Sequence, residues 1–243
     1  MIKPGTLTLC AAAIALALAL ALARGAVAAD SARPAVVELY TSQGCSSCPP
    51  ADAQLGELAR RGDVVALAFH VDYWDQLGWR DRFELPVAMQ RQSQYARRLG
   101  SASVYTPQMV VDGIADVVGG DRKGVSRLLA TPRTGVPVRI TVHGDELLVS
   151  VDAATGMPAA EVTLLGYLPE ALTSIGRGEN SGRALREHNI VRSSATLGVW
   201  RGAAAEWRMP LAALPADARG VAVLVQQPGP GAIVGAAHMA LPR

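Results

Sequence analysis

The chain has 243 residues, half of them hydrophobic and only 5% aromatic, with 23 basic and 21 acidic side chains. Two of the basic residues, Lys3 and Arg24, fall in an N-terminal stretch with the marks of an export signal. Without them 21 basic residues face 21 acidic ones, a balance that points away from nucleic acid and from an anionic membrane surface.

Lys3, the apolar run Leu7–Ala23 and the small residues Ala26-Val27-Ala28 read as a secretory signal peptide over residues 1–28. The run is close to the minimum for a membrane anchor, but a small-residue cleavage site follows it directly. Cys10 is discarded with the segment, because the large Leu9 precedes it where lipid attachment expects a small residue. The mature chain is expected to be periplasmic or secreted, off the membrane after cleavage, in a compartment where disulfides persist.

Val36–Thr41 is rich in β-formers and is followed by Ser42-Gln43-Gly44, a turn signal. A helix is expected after Cys48: Pro49 and Pro50 suit only a first turn, Leu55, Leu58 and Ala59 recur at helical spacing, and Gly62 stops it. Val64–Phe69 is a continuous apolar run, as for a buried central strand. A second helix is expected over Val87–Leu99, closed by Gly100. Next come a strand over Val104–Asp112 interrupted by Pro107, a short strand at Val117-Val118, and a last helix at Val125–Leu129. The order is βαβαββα.

Thr131–Pro137 breaks this pattern and reads as a linker. Beyond it Val138–His143 and Leu147–Asp152 alternate around Gly144-Asp145, a hairpin signal. Strand-like runs follow at Val162–Leu168, Ile190–Trp200, Glu206–Pro210, Val221–Gln227 and Ile233–Ala240. Seven short strands separated by turns point to a β-sandwich. The expected organisation is a domain at residues 31–130, a linker at 131–137 and a sandwich-like all-β domain at 138–243.

Cys45 and Cys48 are the only cysteines outside the export segment, and they flank a strand-to-helix turn. At a helix N-terminus unpaired N–H groups and the helix dipole stabilise a thiolate. Cys45 is therefore the expected nucleophile and Cys48 the resolving thiol. Two alternatives stay open. The pair closes a short static clip, or it joins His70 to bind a soft metal such as copper.

Tyr40–Cys48 resembles the active-site turn of thioredoxin and glutaredoxin relatives, and Tyr105-Thr106-Pro107-Gln108 resembles the cis-proline loop that faces it in them. The strings around Cys45, around His70-Val71-Asp72-Tyr73-Trp74 and at Arg177-Gly178-Glu179-Asn180 are similar to one secreted bacterial family, DUF1223, over nearly the whole mature chain. The resemblance implies a thioredoxin-like α/β N-terminal domain before the β-sandwich, and a redox site with no organic cofactor. It names no substrate beyond a protein or small thiol or disulfide.

A proline inside a sheet needs an edge or a bulge; Pro107, with Thr106, would leave backbone groups free to hold an extended substrate. Glu38 shares a face with Val36 and Tyr40 and matches the buried acid of thioredoxins, which would accept the Cys48 proton; a surface-facing Glu38 is the alternative. Gly44 stands where thioredoxin has a tryptophan, which would open the site. His70 and Trp74 end the second strand, where ligands gather in an open α/β sheet, and are candidate substrate contacts; packing is their other role. Arg177, Glu179, Asn180 and Arg183, with His188 and Asn189, read as a polar loop held by its own ion pairs, the alternative being a loop that reaches a neighbouring active site; Arg91 and Gln94 read as solvated.

Overall fold

The computed structural model describes residues 31–242; the expected signal peptide at residues 1–28 and Cys10 lie outside the described residues. The elements in order are β1 (Ser31–Ala32), β2 (Ala35–Thr41), α1 (Pro49–Ala59), β3 (Val64–His70), α2 (Pro86–Leu99), β4 (Gln108–Val111), β5 (Ala115–Val118) and α3 (Arg122–Leu129). Then come β6 (Thr134–Gly135), β7 (Val138–His143), β8 (Glu146–Val151), β9 (Ala160–Ser174), β10 (Ala184–Trp200), β11 (Ala205–Pro210), β12 (Gly220–Gln226) and β13 (Ile233–Ala240). Local chemistry explains the helix ends. Pro49 and Pro50 occupy the first turn of α1, where no N–H has an intrahelical partner to lose. Gly100 closes α2 in the left-handed region, at φ +74°, which a side chain would resist. Asp121 caps α3 by accepting from the Gly124 N–H at 2.9 Å.

The expectation of a thioredoxin-like α/β domain followed by a separate β-sandwich is overturned. One mixed eight-stranded sheet, in the order β13-β12-β9-β10-β3-β2-β4-β5, runs through both halves of the chain. The join is β10 against β3, parallel at Ile190 and Ala68, with the Asn189 side-chain amide donating to the Ala66 carbonyl at 2.9 Å. β3 is buried along its whole length, so it needs a neighbour on each side. β2 supplies one, and β10, more than a hundred residues later, supplies the other. The Thr131–Pro137 stretch is also tied in, since β6 pairs with β1.

Alternation of side chains divides the core. Val36 and Tyr40 of β2 face α2, while Val37 and Leu39 face α1 and α3. A third cluster around Trp200, Leu147 and Val223 lies between the large sheet and a smaller one, β11-β8-β7.

β9 and β10 are much longer than their apolar runs. β12 accompanies β9 only as far as Tyr167, and β3 meets β10 only at Ile190. The pairing of β9 with β10 nevertheless continues from Leu168↔Ile190 to Ser174↔Ala184. The two strands thus leave the sheet as a two-stranded arm. It packs over α1, with the His188 ring so close to Gly56 that a Cβ there would lie 2.3 Å from it.

Candidate functional site

The cysteine turn leaves β2 and enters α1. The Cys45 N–H donates to the Ser42 carbonyl at 3.1 Å and the Cys48 N–H to the Cys45 carbonyl at 3.2 Å, so two successive turns lead into the helix. Cys45 and Cys48 form a disulfide. Cys48, not Cys45, is the N-cap residue of α1, so the helix end acts most directly on the second sulfur. Both cysteines are 0% exposed, although Ser46 and Ser47 between them are exposed. The open, solvent-facing first thiol expected at this turn is not what the fold presents.

Two walls enclose the disulfide. The first carries Trp74, Thr106 and Pro107. Trp74 fills the space beside Gly44: a Cβ on Gly44 would lie 2.9 Å from the Trp74 Cβ. Gly44 therefore admits an aromatic ring from elsewhere in the chain and does not open the site. The Trp74 indole N–H donates to Thr106 Oγ1 at 2.8 Å. The Thr106–Pro107 peptide is cis. The Pro107 carbonyl accepts from the Gly119 N–H at 2.8 Å, and a Cβ on Gly119 would touch both Pro107 and Ala51 in the first turn of α1. The cis-proline loop thus borders the helix that carries Cys48.

The second wall is the tip of the β9–β10 arm. The Asn180 amide donates to the carbonyls of Gln43 at 3.0 Å and Cys45 at 2.9 Å, and Asn180 is 0% exposed. Arg183 donates to Asn180 Oδ1 at 3.0 Å, and the Glu179 carboxylate accepts from the Ser46 N–H at 3.2 Å. Residues expected to form a self-contained polar loop instead cap the cysteine turn.

Beneath the disulfide lies a buried polar cluster. Asp52 follows Cys48 by four residues, hence on the same face of α1 one turn in. Its carboxyl accepts from Thr41 Oγ1 at 2.8 Å. Burial pushes its pKa up to about 7 against the lowering effects of the His70 charge and the Thr41 hydroxyl. His70 Nδ1 is 2.8 Å from Asp81 Oδ2, and its Nε2, which has no hydrogen-bond partner, is 3.9 Å from Glu187 Oε1 on β10. Burial alone would lower the His70 pKa, but the charges of Asp81, Glu187 and Asp52 with the Asp81 hydrogen bond outweigh it and bring it to about 9. Burial raises Glu187, while the His70 cation holds Asp81 below the usual carboxylate range in spite of burial. Gln43 ties the cluster together, donating to Thr173 at 3.1 Å and to Glu187 at 2.9 Å and accepting from the Trp79 indole at 3.0 Å.

Of the residues singled out in the sequence, the fold gathers Cys45, Cys48, Trp74, Thr106 and Pro107 around one turn. His70 is beneath it but 1% exposed, a buried cation and not a surface contact. Glu38 is elsewhere. It faces α2, across the sheet from α1, and its carboxylate is taken by Arg91, at 2.5 and 2.8 Å, and by the Tyr95 hydroxyl at 2.7 Å. Strand alternation left Glu38 either buried or at the surface; it is buried, and its ion pair with Arg91 explains both residues. Glu38→Gln is expected to lower the unfolding free energy by about 2 kcal/mol, because Arg91 keeps its hydrogen bonds to Gln226 and Tyr95 but loses its counter-charge while largely buried. It should leave the reduction midpoint of the cysteines unchanged. Denaturant melts and a redox titration check the two halves of that statement.

Asp52, Asp81 and Glu187 were not found in the sequence. Only Asp52 carried a signal, its i+4 spacing from Cys48, and an acid in a first helical turn ordinarily just complements the dipole. The alternative copper set of Cys45, Cys48 and His70 is not assembled: among the described residues no group of three His, Cys, Asp or Glu side chains is placed to hold a metal ion.

Among known proteins, a crystal structure of the protein AGR_C_4864 from Agrobacterium tumefaciens matches with 36% identity and a TM-score of 0.76, covering 88% of this chain and 97% of that one. HBP35 of Porphyromonas gingivalis matches at 13% identity and a TM-score of 0.58, over 86% of this chain and 76% of that one, a likeness of fold alone. No curated protein matches. Residues 36–226, from the start of β2 to the end of β12, match the family described as "Protein of unknown function (DUF1223)". With four-fifths of its length inside that family's boundaries and a relative of the same extent, the chain belongs to DUF1223.

Proposed function

We propose that Cys45 and Cys48 form a reversible dithiol–disulfide pair that exchanges with a protein or small thiol outside the cytosol. One observation carries this reading. Asp52 is buried on the Cys48 face of α1, one helical turn in and bonded to Thr41; that burial pushes its pKa up to about 7, where it can give or take a proton. A disulfide that only clips a turn gains nothing from such a neighbour, and a loop this short adds little to stability.

In the oxidising direction a substrate thiolate attacks Cys45 Sγ. A mixed disulfide forms, the Cys45–Cys48 bond breaks, and Cys48 leaves as a thiolate at the N-cap of α1. The Asp52 carboxyl protonates it. A second substrate thiol then attacks the substrate sulfur of the mixed disulfide and releases Cys45, so two electrons pass from two thiols to the protein. In the reducing direction the Cys45 thiolate attacks a substrate disulfide, Cys48 resolves the adduct, and Asp52 takes up the Cys48 proton. Trp74, Thr106 and Pro107 form the wall against which the substrate would lie.

Mixing the oxidised protein with a reduced peptide dithiol tests the reading. One substrate disulfide should appear for each pair of protein thiols formed, and a protein that accepts no electrons from any thiol refutes it.

A further inference from the structure

Exchange requires an incoming sulfur to reach Cys45, yet Cys45 is fully enclosed. The cover on one side is the arm formed by residues 168–190. Its attachment differs from that of a core element. Between its base at Ile190 and its tip, Ile175 and Leu185 are its buried large apolar side chains, at 2% and 6% exposure, while Leu172 on the outer side is 58% exposed. Trp79 lies against Gly178, and the His188 ring against Gly56. The rest of the underside is polar: Thr173 and Glu187 meet Gln43, Asn180 holds the carbonyls of Gln43 and Cys45, and Glu179 meets the Ser46 N–H. Water can replace these hydrogen bonds, so undocking costs less than parting an apolar core, its main penalty being the separation of Glu187 from the buried His70.

The arm also has a place to bend. Asn189, where β10 leaves the sheet, has φ +46°, a left-handed conformation that interrupts the regular strand. Beyond Ile190 and Leu168 no third strand among the described residues braces the pair. The tip itself is closed by Gly182 N–H to the Ile175 carbonyl at 2.8 Å and Ile175 N–H to the Arg183 carbonyl at 2.9 Å, so it moves as a unit.

We propose that the β9–β10 arm is a gate over the disulfide: docked, it shields Cys45, and swung away at Asn189 it admits a thiol to the cysteine turn. Asn180 is then a positioning residue, holding the turn's carbonyls when the gate is shut and releasing them when it opens. The gate rests on the exchange reading and regulates the same site.

The test is the rate at which tris(2-carboxyethyl)phosphine reduces the disulfide of the full mature chain, followed by quenched alkylation, alongside hydrogen exchange. Asn180→Ala should speed reduction about tenfold, from the loss of two hydrogen bonds. It should speed amide exchange only in residues 168–190 and the cysteine turn. Glu179→Ala, at an exposed position, should speed reduction about threefold and guards against a folding defect in the first variant. Equal reduction rates in all three proteins overturn the gate. The two readings fail separately. Equal rates in a protein that still oxidises a dithiol end the gate alone, whereas faster reduction in a protein that never passes electrons to or from a thiol ends exchange and leaves the gate.

Discussion

Cys45→Ser is expected to abolish electron transfer between the protein and a thiol substrate, a loss of at least about a thousandfold, because among the described residues it leaves Cys48 with no second thiol to form or resolve a disulfide. Cys48→Ser should behave differently. Cys45 remains able to attack a substrate disulfide, but the adduct has no resolving thiol, so a mixed disulfide on Cys45 should accumulate and be visible by mass. The asymmetry follows from position. Cys45 lies in the turn between the exposed Ser46 and the carbonyls held by Asn180, whereas Cys48 caps α1 above Asp52. Equal trapping on either cysteine would reverse the assignment of roles.

Asp52→Asn should make the protein more stable and less active. The sign follows from linkage: the folded-state pKa of Asp52 is raised from 3.8 to about 7. Its contribution to stability is present below pH 4 and is lost as pH rises through 7, where a charge must be kept in a buried site. Asparagine avoids that charge and still accepts from Thr41. The variant should therefore gain on the order of 3 kcal/mol over wild type above pH 7, the difference shrinking toward pH 4. The exchange rate should fall about 100-fold, the usual effect of removing a positioned acid or base. Its pH profile should lose the wild-type inflection near 7. Thermal melts and single-turnover rates from pH 4 to 9 read both. A variant that is no more stable above pH 7, or whose rate keeps the inflection, would remove Asp52 from the proton path.

How much of this was legible in the chain differs by element. Val64–Phe69 announced a central strand, and Gly100, Pro49 and Pro50 marked helix ends, because each depends on chemistry within a few residues. The partner of β3 did not show. An apolar run says that a strand has two neighbours, not that one of them begins at Ala184. The arm was missed for a related reason: Pro169-Glu170 and Arg186-Glu187-His188 show no alternation of apolar residues, so the extensions of β9 and β10 read as loop, and the buried Glu187 gave no sign of its partners. Asn180 and Glu179 were therefore seen as staples of that loop, when their partners are the carbonyls and N–H of the cysteine turn, some 135 positions earlier. Glu38 could be read as a partner of the cysteines or as a surface residue because the helix facing its side of β2 was not legible from the strand alone. Gly44 looked like an opening, but the Trp74 Cβ fills it.

The family to which the chain belongs carries no assigned reaction, so the weight falls on whether this pair of sulfurs cycles. The most direct measurement is the reduction midpoint of the Cys45–Cys48 pair in the mature protein, equilibrated against dithiol buffers at pH 7 and quenched by alkylation. A working exchange pair should titrate above about −300 mV, within reach of the thiol couples outside the cytosol. A midpoint well below that value would mean a permanently closed clip, and the account of an exchanging site would be wrong.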